Sequence, residues 1–303
     1  MRWEDFRQSD NIDDRRGDGD GGGGGGFGLP IPGSGGGLGL GTIIILGLIG
    51  WAVGIDPRIL IGGAEMLSRG GQSSGYSQPQ QQSQRQSAPP TDQMGRFVSA
   101  VVAMNEDVWK AQLPAQKNIQ FKPATLVLFN GQTRSACGAA QSAMGPFYCP
   151  VDQKMYLDTS FFNDMKRKLG GGGDFAYAYV ISHEMGHHIE NLLGILPKVQ
   201  QAQQRASSQA ESNALSVRVE LMADCLAGVW AYHANQKWKI LEDGDVEKAV
   251  NTATAIGDDR LQQAGRGRVV PDSFTHGSSE QRVRWLQNGL KSGSVDSCNT
   301  FAR

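Results

Sequence analysis

Residues 183–187 read His183-Glu184-Met185-Gly186-His187, inside a proline-free stretch, 174–193, whose apolar residues recur at helical spacing. On a helix His183 and His187 project from one face, one turn apart, so whatever packs there must accommodate two converging imidazoles. That arrangement can grip one zinc ion, with Glu184 rotated toward whatever the ion holds. The pentapeptide also occurs by chance, and an amphipathic core helix with surface histidines is the plain alternative. Gly170 to Gly173 and Asp174 supply a flexible lead-in with an N-cap candidate, and Gly194 a C-terminal stop. An interior glycine at 186 costs roughly 1 kcal/mol relative to alanine, but it permits close approach by another element.

Two imidazoles need a third ligand. One histidine-rich zinc class would place glycine at 190 and histidine at 193; Glu190 and Leu193 stand there instead, which excludes it. Glu220 and Asp224 lie four apart on a second long helical pattern, 213–232. Carboxylates on a largely apolar helix are expensive to bury without partners, and zinc and a ligand histidine N–H are suitable ones. Glu220 is therefore the candidate third ligand, and Asp224 the acceptor that fixes a ligand tautomer. A solvated helix face, or an ion pair of Glu220 with Arg218, is the alternative.

Together His183-Glu-x-x-His187 and Glu220-x-x-x-Asp224 resemble the gluzincin pattern. More closely, the chain resembles the bacterial neutral zinc metallopeptidases anchored by one N-terminal membrane helix. The resemblance rests on residues 137–150 (Cys-Gly-Ala-Ala-Gln-Ser-Ala-Met-Gly-Pro-Phe-Tyr-Cys-Pro), 182–188, 220–225 and 275–282. It implies peptide hydrolysis with one Zn2+ per chain and a protein or peptide substrate, without naming that substrate. Residues 275–282, Thr-His-Gly-Ser-Ser-Glu-Gln-Arg, are similar to a Ser/Thr-His-Pro-x-x-x-x-Arg segment of membrane-associated gluzincins, with Gly277 in place of proline. By that likeness His276 donates to the oxyanion formed during hydrolysis, a contribution of around 2.7–4 kcal/mol. Arg282 is a candidate substrate-binding or structural cation. Ser278 and Gln281 also form a capping box for a helix through Leu290, which would make Arg282 an ordinary first-turn surface residue.

The 303 residues are not uniformly foldable. Residues 1–37 carry an unbroken glycine run at 21–26, and residues 1–20 hold four arginines against seven acids. Such a tail is expected to be disordered. Residues 38–55 are eighteen uncharged residues, about 27 Å as a helix, long enough to span a hydrocarbon core as a retained anchor. A buried core helix is the alternative. Residues 56–93 form a linker rich in Gln, Ser and Pro toward its end, leaving 94–303 as one domain. More arginine precedes the apolar stretch than closely follows it. This predicts a single-pass bacterial inner-membrane protein with a cytoplasmic N-terminus and a periplasmic or extracellular catalytic domain.

Four cysteines suit an exported domain. Cys137 and Cys149 flank a short loop and read as a local disulfide, leaving Cys225 and Cys298; the sequence itself permits three connectivities. The rest reads as α+β: a mainly helical zincin-like domain with a small sheet, preceded by the membrane helix. Residues 94–113 are helical and end before Pro114, residues 124–129 and 147–157 hold strands, and a short helix starts at Asp158. By analogy with gluzincins, the strand at 154–157 is an edge along which an extended peptide could pair, making Tyr156 a candidate substrate contact. An interior strand is the simpler alternative. His188 and His233 carry no ligand spacing. A net charge of −1 and the lack of a basic aromatic cluster give no case for nucleic acid. The rival to an enzyme is a membrane-tethered envelope scaffold with a structural zinc site; a latent peptidase is a third reading.

Overall fold

A computed structural model describes residues 1–17, 89–141, 145–168 and 172–302. In chain order these form β1 (Ile12–Asp14), α1 (Gln93–Lys117), β2 (Thr125–Phe129), β3 (Gln132–Ser135), β4 (Gly138–Gln141), β5 (Phe147–Cys149) and β6 (Lys154–Asp158). There follow α2 (Ser160–Lys168), α3 (Asp174–Leu192), α4 (Ile195–Gln204), α5 (Gln209–Trp238), α6 (Asp245–Ala255), α7 (Asp258–Arg266) and α8 (Ser279–Ser292). The architecture is α+β and mostly helical, with one four-stranded sheet in the order β1-β2-β6-β5 and a separate β3–β4 hairpin.

Alternation along β2 and β6 sorts their side chains onto two faces. Leu126, Leu128, Met155 and Leu157 join the main core with α1, α3 and α5, around Trp109, Phe175 and Trp230. Val127, Phe129 and Tyr156 face the other way, into a smaller cluster with Ala140 of the hairpin and Cys149. The Cys137–Cys149 disulfide ties the hairpin to β5 over this second cluster.

β6 is an interior strand, parallel to β2 and antiparallel to β5, so the sheet's edges are β1 and β5. Tyr156, expected on an open edge, is instead packed inside: it is 2% exposed, its ring stacks on Phe147 and its hydroxyl donates to Asp152 at 2.7 Å. Helix α1 also continues past Pro114 to Lys117. The carbonyl left without an N–H by the proline belongs to Lys110, which is exposed and can meet water.

The larger correction concerns the N-terminus. Residues 1–17 are not disordered. β1 pairs in parallel with β2, Ile12 opposite Leu126 and Asp14 opposite Leu128, while Trp3 is 6% exposed and packs edge-on against Phe97 of α1. Buried Glu106 of α1 accepts from Ser9 Oγ at 2.6 Å and Asn11 Nδ2 at 2.8 Å, and pairs with Arg7 at 3.0 Å. Each of these partners lies about a hundred residues away in sequence, where local composition carries no information about them.

The uncharged stretch 38–55 lies outside the described residues. Among those described, no helix is long and apolar enough to cross a membrane. Residues on either side of the undescribed segment meet: Arg16 Nη2 lies 2.6 Å from Asp92 Oδ2. A single crossing between them would place β1 and β2 on opposite sides of a bilayer, yet they share one sheet.

Candidate metal centre

Helix α3 presents its ligand face to α5. Gly186 makes the close crossing possible, since a Cβ there would sit 3.0 Å from the backbone of Ala223. His183 and His187 thereby face Glu220: His183 Nε2 lies 3.2 Å from one carboxylate oxygen, and His187 Nε2 lies 3.6 Å from the other. One donor atom from each of these three residues falls within 4.8 Å of the others. Two imidazole nitrogens and a carboxylate oxygen suit zinc.

The far nitrogens fix the rings. His183 Nδ1 lies 2.8 Å from Asp224 Oδ1, and His187 Nδ1 lies 2.8 Å from Glu190 Oε2. With Nδ1–H donating to these carboxylates, Nε2 is in each ring the nitrogen turned toward Glu220, and it binds a metal once it gives up its own proton. Burial alone would disfavour a charged His183, but Asp224 and then Glu220 carry it up to about 10. Burial likewise opposes ionisation of Glu220, and His276, His187 and His183 outweigh it, holding the carboxyl well below its usual range. So dense a set of buried carboxylates is a site that attracts positive charge.

Asp224 is fully enclosed. Besides His183 it accepts from Tyr179 Oη at 2.6 Å and from Arg282 Nε and Nη2, each at 2.9 Å. Burial pushes its carboxyl up, but Arg282 and His183 bring it down to about 2. Arg282 is not a first-turn surface residue, although the Ser278–Gln281 capping box at the start of α8 is present: it is 3% exposed and bonded to Asp224, the structural one of its two cation readings. The second disulfide, Cys225–Cys298, fastens the turn after α8 beside Asp224. Of the three connectivities, the structure has the local bridge and this one.

Glu184 follows His183 on α3 and is 8% exposed; burial raises its carboxyl, with His183 and His187 opposing. His276 arrives from the loop before α8. Asp258, the first residue of α7, holds that loop: one oxygen accepts the backbone N–H of Thr275, His276 and Gly277 at 2.7, 2.7 and 3.1 Å. Its other oxygen lies 3.4 Å from His276 Nδ1. Burial opposes protonation of His276, but Glu220 and then Asp258 raise it overall. Gly277 has φ +91°, a value proline cannot adopt, so the glycine belongs to a differently turned loop with the same His-to-Arg spacing.

His188 and His233 serve the framework. His188 links Tyr148 of β5 to the carbonyl of Lys122, and His233 lies 2.7 Å from the carbonyl of Gly293. Asp174 follows the α3 cap, which is Gly173, and accepts from Trp3 Nε1 at 2.9 Å. Sequence reasoning passed over Glu190, Tyr179 and Asp258. Glu190, three residues after His187, had a legible helical spacing. Asp258 had none, because its partners lie in a loop seventeen to nineteen residues away.

The His-Glu-x-x-His helix and the carboxylate helix together build a candidate metal centre with three donors. The chain belongs to the family described as "putative neutral zinc metallopeptidase", whose model matches residues 1–301 and so takes in β1. It is 49% identical to YpfJ of Escherichia coli K12 over 303 residues, covering 100% of this chain and 99% of that protein. Rv2575 of Mycobacterium tuberculosis H37Rv is 42% identical over 221 residues, 68% of this chain and 72% of that one. Both relatives are described as uncharacterized proteins. No solved structure matches the chain.

Proposed function

We propose that this chain is a zinc-dependent endopeptidase acting on protein or peptide substrates. The observation that carries the reading is the convergence of His183, His187 and Glu220 donor atoms within 4.8 Å of one another, beside the buried Glu184. His183 Nε2, His187 Nε2 and a Glu220 oxygen would hold the ion. When bound, zinc supplies a Lewis acid that acidifies water and polarises a carbonyl.

Glu184 takes a proton from the attacking water and returns it to the departing amine nitrogen; its raised carboxyl suits both steps. His276 donates from Nε2 to the carbonyl oxygen as negative charge develops there. Asp258 orients that ring, and Asp224 and Glu190 orient the two ligand rings. Hydrolytic zinc centres keep a coordination position open, whereas structural ones are closed by four protein ligands. Among the described residues the donor group has three members, which favours the enzyme over the scaffold.

Two disulfides support an oxidising, exported location, periplasmic or extracellular. The uncharged stretch 38–55 supports association with a membrane. In this reading residues 1–17 and the domain lie on one side of that membrane, which the sheet shared by β1 and β2 supports.

The test is chelation and restoration. Peptide hydrolysis by the purified chain should stop when zinc is stripped and return when zinc is added back. Glu220→Ala should hold less zinc and should not recover. Hydrolysis that persists without metal would refute the proposal.

A further inference from the structure

The two ligand histidines each lean on a buried carboxylate, but those carboxylates are balanced differently. Asp224 has Arg282 on both oxygens and the Tyr179 hydroxyl besides. Glu190 is 0% exposed, and its Oε2 lies 2.8 Å from His187 Nδ1. Its other oxygen, Oε1, has no hydrogen-bond partner among the described residues, and no arginine or lysine bonds to it. A buried acceptor left unmatched costs the free energy of its lost hydration, and more when charged. The arrangement therefore works against the stability of the metal-free fold.

It does serve His187. Residues three apart on a helix are neighbours, so Glu190 reaches the ring from the same rigid element that carries the ligand. An acceptor on Nδ1 turns Nε2 toward Glu220, and negative charge behind the ring strengthens its grip on a dication. Asp224 does the equivalent for His183 from another helix, with its own charge already offset by Arg282. The carboxylate behind His187 is the one whose charge is left for the ion to balance.

We propose that Glu190 is the positioning residue for the second histidine ligand, and that it sets zinc retention although it destabilises the metal-free protein. This inference rests on the zinc reading above, and its test separates the two.

Zinc affinity would be measured by chelator competition, and metal-free melting by calorimetry, on the full chain and on Glu190→Gln and Glu190→Ala. Glu190→Gln should melt at or above the parent temperature without metal and bind zinc about 10- to 100-fold more weakly. Glu190→Ala, with no acceptor for Nδ1, should weaken binding at least as much. Parent-like zinc affinity in both variants would overturn the inference while leaving the zinc centre standing. A metal-free Glu190→Gln protein that melts well below the parent would overturn the destabilising role. A parent protein that binds no zinc would overturn the underlying reading instead.

Discussion

Arg282 and Asp224 form a doubly hydrogen-bonded ion pair, 2.9 Å at both contacts, with side chains 3% and 0% exposed. The pair joins α8 to α5, and Asp224 passes the constraint to His183. Removing one member of a buried pair leaves an uncompensated charge, at a cost of about 3–5 kcal/mol. Arg282→Ala should therefore lower unfolding stability by that amount in a denaturant titration and weaken zinc binding. A change below about 1 kcal/mol would mean that the pair is not holding the centre together.

His276 and Asp258 should separate catalysis from metal binding. Losing an oxyanion donor costs about 10²- to 10³-fold in kcat, so His276→Gln should show that loss with zinc content unchanged. Asp258→Asn keeps an acceptor for the loop amides but removes the charge beside His276 Nδ1, so it should retain zinc and lose part of kcat. Steady-state kinetics with parallel metal analysis checks both. Full activity in His276→Gln would remove the residue from the mechanism.

The N-terminal segment should behave as part of the domain. Glu106→Ala removes a buried acceptor from Arg7, Ser9 and Asn11, and should cost about 1.5–3 kcal/mol by denaturant titration. Sidedness is checked with a membrane-impermeant thiol reagent on intact cells, using cysteine at the exposed positions Asp10 and Lys110. Both should react alike. Labelling of one and protection of the other would mean that β1 is not in the sheet in cells.

Acid should loosen the same segment first. Arg16 is the largest influence on Asp92, and with the Gly95 N–H it outweighs burial to bring that carboxyl from 3.8 down to about 2. A depressed folded-state value contributes stability above the unfolded value, which is lost as pH falls through the folded one. Amide protection factors, corrected for the intrinsic rate at each pH, should thus fall across residues 12–16 as pH drops from 3.8 toward 2, ahead of those in α5. Unchanged protection there across that range would contradict the clasp between Arg16 and Asp92.

The helices and the ligand spacing were legible because both follow local rules. The 3.6-residue period set α3 and α5, and His183, His187, Glu220 and Asp224 each sit four residues from a partner on one helix face. What the sequence hid was long-range. β1 contains one apolar residue, Ile12, in a charged, glycine-rich neighbourhood, and its pairing partners lie beyond residue 120. The burial of Tyr156 depends on a hairpin, β3–β4, that carries little apolar alternation of its own. Arg282 fitted a solvated first turn equally well until α8 was laid across α5.

Cleavage of an unbiased peptide library by the zinc-loaded full chain, beside Glu184→Gln, tests the account most directly. The parent protein should cut at internal peptide bonds, and Glu184→Gln should bind zinc normally yet produce no cleavage above background. Equal cleavage by both proteins, or none by a zinc-loaded parent, would contradict the assignment of this centre as a peptidase.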